Sequence, residues 1–322
     1  MEFILPILAV AVGLALLVLG ADQFVDGAAA TARRLGVSTL IIGMVVVGFG
    51  TSAPELLVSA TAALQGNGDL ALGNALGSNI ANITLVLGAT ALILPLTVRP
   101  DTLRREYPLL LGATAVTWLL IRDGALSLLD GLLLVTLLVV IMGALTTLAL
   151  RRTTADHNAD EGIDPRPPAP PLRTALLRLM VGLIVLLIGS RLLVWGAVTT
   201  AAHLGVSDVI IGLTLVAVGT SLPELAAAIA GALKNEADLA IGNVIGSNLF
   251  NTLAVVAVPG FFGGLAILAD ILTRDFALAA ALTVALAVLC GGWRPRPRLG
   301  RMNGLLLLAV FFGYQLTLYL NA

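Results

Sequence analysis

The sequence predicts an all-α membrane protein: ten transmembrane helices in two inverted five-helix repeats, with helices 2 and 7 broken. Three observations predict it. The 322 residues are 58% hydrophobic and only 11% charged, with a mean hydropathy of +1.03. A soluble domain carries about 25% charged residues, so a chain this apolar keeps its surface in lipid. Apolar runs close to the ~20 residues needed to cross a bilayer follow one another to the C-terminus. The chain also repeats itself, with Gly50 matching Gly219 at an offset of 169 residues.

Taken in order, the first span runs from Phe3 to Ala30. It lacks the basic n-region of a signal peptide and has a counterpart opening the second half, so it reads as a true span. The next four run Thr39 to Leu64, Leu70 to Leu94, Leu103 to Ile121 and Ser127 to Leu150. Residues 1–150 thus form the first repeat. Arg151 to Pro171 is acidic and proline-rich, the composition of a solvated, partly extended linker. The second repeat, 172–322, holds Thr174 to Ala202, Val209 to Leu233, Leu239 to Phe262, Ile271 to Cys290 and Met302 to Leu320.

The repeat needs no gap from Leu35 to Asn82. Leu35-Gly36-Val37-Ser38 matches Leu204-Gly205-Val206-Ser207, and Gly77-Ser78-Asn79 matches Gly246-Ser247-Asn248. The register slips only before the last helix. An odd number of spans per unit sets the copies in opposite orientations, an arrangement transporters use. Basic residues orient the chain. Arg33-Arg34, Arg99 to Arg105, Arg151 to Arg178, Lys234 and Arg294 to Arg301 fall on one side, and only Arg122 and Arg274 on the other. By the positive-inside rule the first side is cytoplasmic. Both termini then lie outside a plasma (inner) membrane, and the 151–171 loop is cytoplasmic.

Gly48-Phe49-Gly50-Thr51-Ser52-Ala53-Pro54-Glu55 interrupts the second span, and Ala217-Val218-Gly219-Thr220-Ser221-Leu222-Pro223-Glu224 interrupts the seventh. Proline lacks an N–H and breaks the helix, and freed carbonyls in hydrocarbon need a partner or a water-filled cavity. Hard cations take oxygen ligands, and Ca²⁺ takes six to eight. Carbonyls near Gly48 and Thr51, the Thr51 and Ser52 hydroxyls and the Glu55 carboxylate supply half a shell. Ala217, Thr220, Ser221 and Glu224 supply the other half. Ser78 and Asn82 share one face of the third helix, as Ser247 and Asn251 share one face of the eighth. Gly73, Gly77, Gly242 and Gly246 allow close helix approach. An acid at the bilayer centre is expensive and marks a functional candidate; two related by the repeat mark a site.

Other polar residues have plainer readings. Asn74, Asn79, Asn243 and Asn248 are expected to bond freed backbone near the breaks. Asp69 and Asp238 read as helix N-caps. Asp22, Asp26 and Arg191 are placed near the outer halves of their helices, where snorkelling to the interface is the plainer reading and a cavity-lining or gating role the alternative. His157 and His203 do not read as ligands, and Cys290 reads as a small packing residue. There is no nucleotide loop, no nucleophile elbow and no His or Cys cluster, so no enzyme, cofactor or nucleic-acid partner is expected. A monomer suffices.

Gly50-Thr51-Ser52-Ala53-Pro54-Glu55 with Gly73-Asn74-Ala75-Leu76-Gly77-Ser78-Asn79 resembles the first alpha repeat of prokaryotic-type sodium/calcium exchangers, of the cation/Ca²⁺ antiporter superfamily. Gly219-Thr220-Ser221-Leu222-Pro223-Glu224 with Gly242-Asn243-Val244-Ile245-Gly246-Ser247-Asn248 resembles the second. The resemblance covers essentially the whole chain. It implies a four-site diamond in which Glu55 and Glu224 hold Ca²⁺ or Na⁺. Thr51, Thr220, Ser52, Ser221, Ser78 and Ser247 line flanking Na⁺ sites with the Gly48 and Ala217 carbonyls, and Asn82 and Asn251 complete the middle. It further implies that the first and sixth helices slide across a static core, and that several Na⁺ exchange for one Ca²⁺ by alternating access. Some relatives carry aspartate at the place of Asn251, whereas this chain has asparagine at both central positions. Ca²⁺/H⁺ or K⁺-coupled antiport is the alternative, and a passive cation channel the reading from a different class.

Overall fold

Helices joined by short turns account for nearly all of the structure. A computed structural model describes residues 4–156, 170–206, 217–291 and 297–320. The first half comprises α1 (Ile4–Leu35), α2 (Thr39–Thr51), α3 (Ala53–Leu64), α4 (Gly68–Ile93), α5 (Pro100–Arg105), α6 (Tyr107–Ile121) and α7 (Leu128–Asp156). The second comprises α8 (Leu172–His203), α9 (Ala217–Thr220), α10 (Leu222–Leu233), α11 (Ala237–Phe261), α12 (Ile271–Leu289) and α13 (Arg301–Leu320). Among the described residues seven helices are long and apolar enough to cross a bilayer, and the α2–α3 pair, bent by 41°, makes an eighth. The start of the expected seventh span, residues 207–216, and most of the expected linker lie outside the described residues.

Local chemistry explains most boundaries. Past the end of α1 stands Gly36 with φ +66°, and past α8 stands Gly205 with φ +80°; this left-handed geometry ends helices and suits glycine. Arg33 and Arg34 in the last turn of α1 favour its C-terminal dipole and carry it past the expected Ala30. The expected Leu103–Ile121 helix is two pieces, because Pro108 sits in the first turn of α6 and cannot continue the preceding one. The fifth span runs on to Asp156 rather than ending at Leu150. Two two-residue antiparallel ladders clip the halves together, Leu96–Thr97 with Arg298–Leu299 and Ala125–Leu126 with Leu265–Ala266.

Burial identifies the centre. The apolar windows of α4 and α11 are 72% and 83% buried, against 22–39% for the other long spans. The outer helices present Ile4, Leu5, Val139, Val140 and Phe312 to the surroundings, as lipid-facing helices do. α1 and α8 pack along their whole length through glycines spaced by seven. Gly13, Gly20 and Gly27 abut the backbone at Leu193, Leu186 and Leu179; Gly182, Gly189 and Gly196 abut Phe24, Leu17 and the Pro6–Val10 turn. One index rises as the other falls, so the helices are antiparallel, and each glycine of one has a counterpart 169 residues away in the other. Small residues let backbones approach where no water drives association.

α2 crosses α11 in the same way. A Cβ on Gly43 would stand 2.7 Å from the Leu239 carbonyl oxygen, and one on Gly48 would stand 2.8 Å from the Ser247 nitrogen. Gly242 and Gly246 lie directly against the carbonyls of Leu40 and Met44. The expected close approach therefore holds for Gly242 and Gly246. Among the described residues nothing lies within 4 Å of Gly73 or Gly77. Wide π-type turns interrupt α2 at Gly43–Val47, α4 at Asn82–Val86 and α11 at Asn251–Val255, the last two 169 residues apart. Such turns gather at functional sites.

Candidate cation site

Both interrupted stretches bend at a serine. Ser52 has φ −82° and ψ 0°, and Ser221 has φ −88° and ψ 2°. Each is followed by a new helix with proline in its first two positions and glutamate in its first turn. Proline is tolerated there because the N–H it lacks has no partner in a first turn. It cannot donate back to the residue four earlier, which frees the carbonyls of Gly50 and Gly219. The Ser190 hydroxyl of α8 donates to the Gly219 carbonyl at 3.1 Å. At the matching place in α1 stands Ala21, which has no hydroxyl to offer. Ser190→Ala is therefore expected to cost about 1 kcal/mol of stability, the worth of one buried hydrogen bond, measurable as a lowered thermal midpoint in detergent with transport retained.

Glu55 and Glu224 are fully buried, and none of their four carboxylate oxygens has a hydrogen-bond partner. The Glu55 carboxylate neighbours the Ser78 hydroxyl and feels the charge of Glu224. The Glu224 carboxylate neighbours the hydroxyls of Thr51, Ser52 and Ser247. Two of these three hydroxyls, Thr51 and Ser52, come from the first half and meet the acid of the second. Among the described residues no group of three or more His, Cys, Asp or Glu side chains forms. Two unpaired buried carboxylates are costly unless they are protonated or share a cation.

The surroundings fix these groups. Thr51 Oγ1 lies 3.1 Å from the Val47 carbonyl and 3.1 Å from Asn243 Oδ1, which compete for its one proton, and 3.2 Å from Ser247 Oγ. The Gly48 carbonyl accepts from the Ser52 N–H at 3.1 Å and from Ser247 Oγ at 3.4 Å. Asn74 Nδ2 donates to the Glu55 carbonyl at 3.0 Å, and Asn243 Nδ2 to the Glu224 carbonyl at 3.4 Å. These two asparagines bond backbone at the breaks, as expected. Asn79 and Asn248 do not. Asn79 Nδ2 donates to Thr252 Oγ1 at 2.8 Å, and Asn248 Oδ1 accepts from Asn82 Nδ2 at 3.0 Å. Both bonds join α4 to α11, side chain to side chain.

Of the remaining predicted residues, Ser52 Oγ, Ser221 Oγ and Asn82 Oδ1 are buried without partners, as are both amide atoms of Asn251. Ser78 is buried beside Glu55. Thr220 ends α9, and Ala217 opens it. One expectation is corrected. Asp69 and Asp238 are not caps: Asn67 caps α4, accepting from the Leu70 N–H at 3.3 Å, and Asp238 sits in the first turn of α11 with Arg99 at 3.5 Å. Asp22 and Asp26, both partly exposed, each lie 2.7 Å from Lys234 at the end of α10. Sequence reading missed Ser190 and Thr252. Their signal was a hydroxyl inside an apolar helix where the repeat has Ala21 and Ile83.

The family profile described as sodium/calcium exchanger protein matches residues 5–147 and 174–320. The chain belongs to the sodium/calcium exchanger family. This member is 46% identical to a putative antiporter, CaxA, of Alkalimonas amylolytica over 96% of this chain and 97% of that one. It is 29% identical to the sodium/calcium exchanger MaX1 of Methanosarcina acetivorans over 95% and 96%. A solved structure of the sodium-calcium exchanger NCX_Mj, soaked with Na⁺ and Sr²⁺, superposes with a TM-score of 0.79 at 35% identity, covering 96% of this chain and 97% of that one. Family membership makes this protein a membrane antiporter of cations, calcium among them, rather than an enzyme.

Proposed function

We propose that the protein exchanges Na⁺ for Ca²⁺ across the plasma (inner) membrane by alternating access and extrudes Ca²⁺. The observation that carries this reading is the set of four partnerless carboxylate oxygens, two at the start of α3 and two at the start of α10. Glu55 and Glu224 hold Ca²⁺ or Na⁺ in turn. Thr51, Ser52, Ser78, Thr220, Ser221 and Ser247, with the Gly48 and Ala217 carbonyls, line the flanking Na⁺ positions, and Asn82 and Asn251 fill the middle. The scaffold is ten spans in two inverted repeats, 1–150 and 172–322, with both termini outside and the 151–171 loop cytoplasmic. The antiparallel, reciprocal packing of α1 on α8 supports that inversion.

Two carboxylates neutralise one Ca²⁺, so three Na⁺ in its place carry one net charge. Exchange then responds to voltage by about 2.3 kcal/mol per charge per 100 mV. Reconstitution in proteoliposomes tests the reading. Radioactive Ca²⁺ uptake is expected to require an outward Na⁺ gradient, to persist when K⁺ is removed, and to quicken when the membrane potential is set to favour Na⁺ exit. Uptake driven instead by a pH gradient makes the protein a Ca²⁺/H⁺ antiporter, and uptake with no counter-ion gradient makes it a channel.

A further inference from the structure

Lys234 follows α10, whose first turn carries Glu224. Its Nζ lies 2.7 Å from Asp22 Oδ1 and 2.7 Å from Asp26 Oδ1 of α1. Two residues on, Glu236 meets Arg33 of α1 at 3.6 Å. At about 100° per residue, Asp22, Asp26 and Arg33 fall within a stripe roughly 40° wide. One charged stripe on the C-terminal part of α1 is thus fastened to the turn between α10 and α11. Beneath it Ala21, Phe24, Val25 and Ala28 of α1 share an apolar cluster with Leu222, Ala226, Ala227 and Ala230 of α10. Ala227 is only 1% exposed.

The matching positions of the other half do not supply this device. In the repeat, Gln65 stands for Lys234, Arg191 and Trp195 for Asp22 and Asp26, Asn67 for Glu236, and Ala202 for Arg33. Val58, the counterpart of Ala227, is only partly buried. The asymmetry belongs to this chain's own side chains, since the two halves otherwise share their backbone plan.

We propose that Lys234, Asp22 and Asp26 form a one-sided latch that holds α1 over α10 and keeps the site closed to the membrane face bearing Lys234. The inference rests on the alternating-access reading above. A helix rises about 1.5 Å per residue, so Asp22 and Asp26 lie about 6 Å apart along α1. A shift of α1 along its axis by one turn carries at least one of them out of reach of Lys234, and a longer shift frees both. The pairs are partly exposed, with side-chain exposures of 27% for Lys234, 51% for Asp22 and 43% for Asp26. Pairs of that kind are individually modest, so the latch biases an equilibrium and does not lock it.

The test uses the full chain in liposomes with Cys290→Ala and Ala227→Cys, and a membrane-impermeant thiol reagent applied to the face bearing Lys234. Lys234→Gln is expected to raise the labelling rate of the introduced thiol about fivefold, the size of a modest ion-pair term. The double variant Asp22→Asn, Asp26→Asn is expected to do the same. The charge exchange Lys234→Asp with Asp26→Lys is expected to return the rate toward its starting value. In the chain without the introduced thiol, amide hydrogen exchange over residues 222–233 is expected to quicken in Lys234→Gln. Unchanged labelling and exchange in the neutralised variants, or a charge exchange that fails to restore protection, overturns the latch. Labelling needs no ion gradient. A failed latch with Na⁺-driven flux intact leaves the exchange reading standing, and protection with no Na⁺-driven flux counts against exchange alone.

Discussion

Glu55→Gln or Glu224→Gln is expected to lower Ca²⁺ affinity by at least about a hundredfold and to abolish exchange. Glutamine keeps the shape and removes one negative charge. The remaining carboxylate half-neutralises a divalent cation, and among the described residues no third acid joins the pair. Breaking one partner of a buried charge arrangement costs about 3–5 kcal/mol, and each 1.4 kcal/mol is roughly tenfold in affinity. Without cation the variants are expected to be at least as stable as the native chain, since an unpaired buried charge has gone. The native thermal midpoint is expected to rise with Ca²⁺ by mass action, and the variant midpoints to stay flat. Calorimetric titration with Ca²⁺ measures the affinity, and thermal unfolding with and without Ca²⁺ measures the midpoints. Unchanged affinity in either variant removes that glutamate from the site.

The second large effect is expected at Gly246. A Cβ there meets the Met44 backbone at a distance no real contact tolerates, and backbone cannot swing aside as a side chain can. Gly246→Ala must push α2 away from α11. Overpacking of this kind costs about 1–3 kcal/mol. The displacement falls where Thr51 lies 3.1 Å from Asn243 and 3.2 Å from Ser247. Thermal stability and Ca²⁺ affinity are therefore expected to fall together, affinity by about tenfold or more. Gly73→Ala makes no comparable contact among the described residues and serves as the comparison. A Gly246→Ala chain with native affinity would show that the helix crossing does not set the geometry of the site.

Much of this was legible in the sequence, because the membrane restricts what a polar residue is for. Glu55 and Glu224 stand out in apolar runs, and their burial with orphaned oxygens is what an intramembrane acid implies. The glycine-proline interruptions signalled bends, and Ser52 and Ser221 adopt nearly the same turn. Pairwise reach was less legible. Asn79 and Asn248 were expected on backbone, yet they bond across α4 and α11, because helix rotation is set by packing that periodicity does not encode. Asp22 and Asp26 read as interfacial acids, and their partner Lys234, more than 200 residues away in the chain, came into view only when the fold brought it to within 2.7 Å. The glycines at 13, 20 and 27, with their counterparts at 182, 189 and 196, were readable as a seven-residue spacing in both repeats and would have predicted the α1–α8 contact. Residue type within an otherwise apolar helix hid them.

The central claim is that one pair of carboxylates serves both cations in turn. Equilibrium binding of radioactive Ca²⁺ to the purified protein, titrated with Na⁺ at fixed pH, tests it most directly. The expected result is one Ca²⁺ per chain, displaced fully and cooperatively by Na⁺. Ca²⁺ that stays bound at saturating Na⁺, or a second Ca²⁺ per chain that persists in the Glu55→Gln, Glu224→Gln double variant, would contradict it.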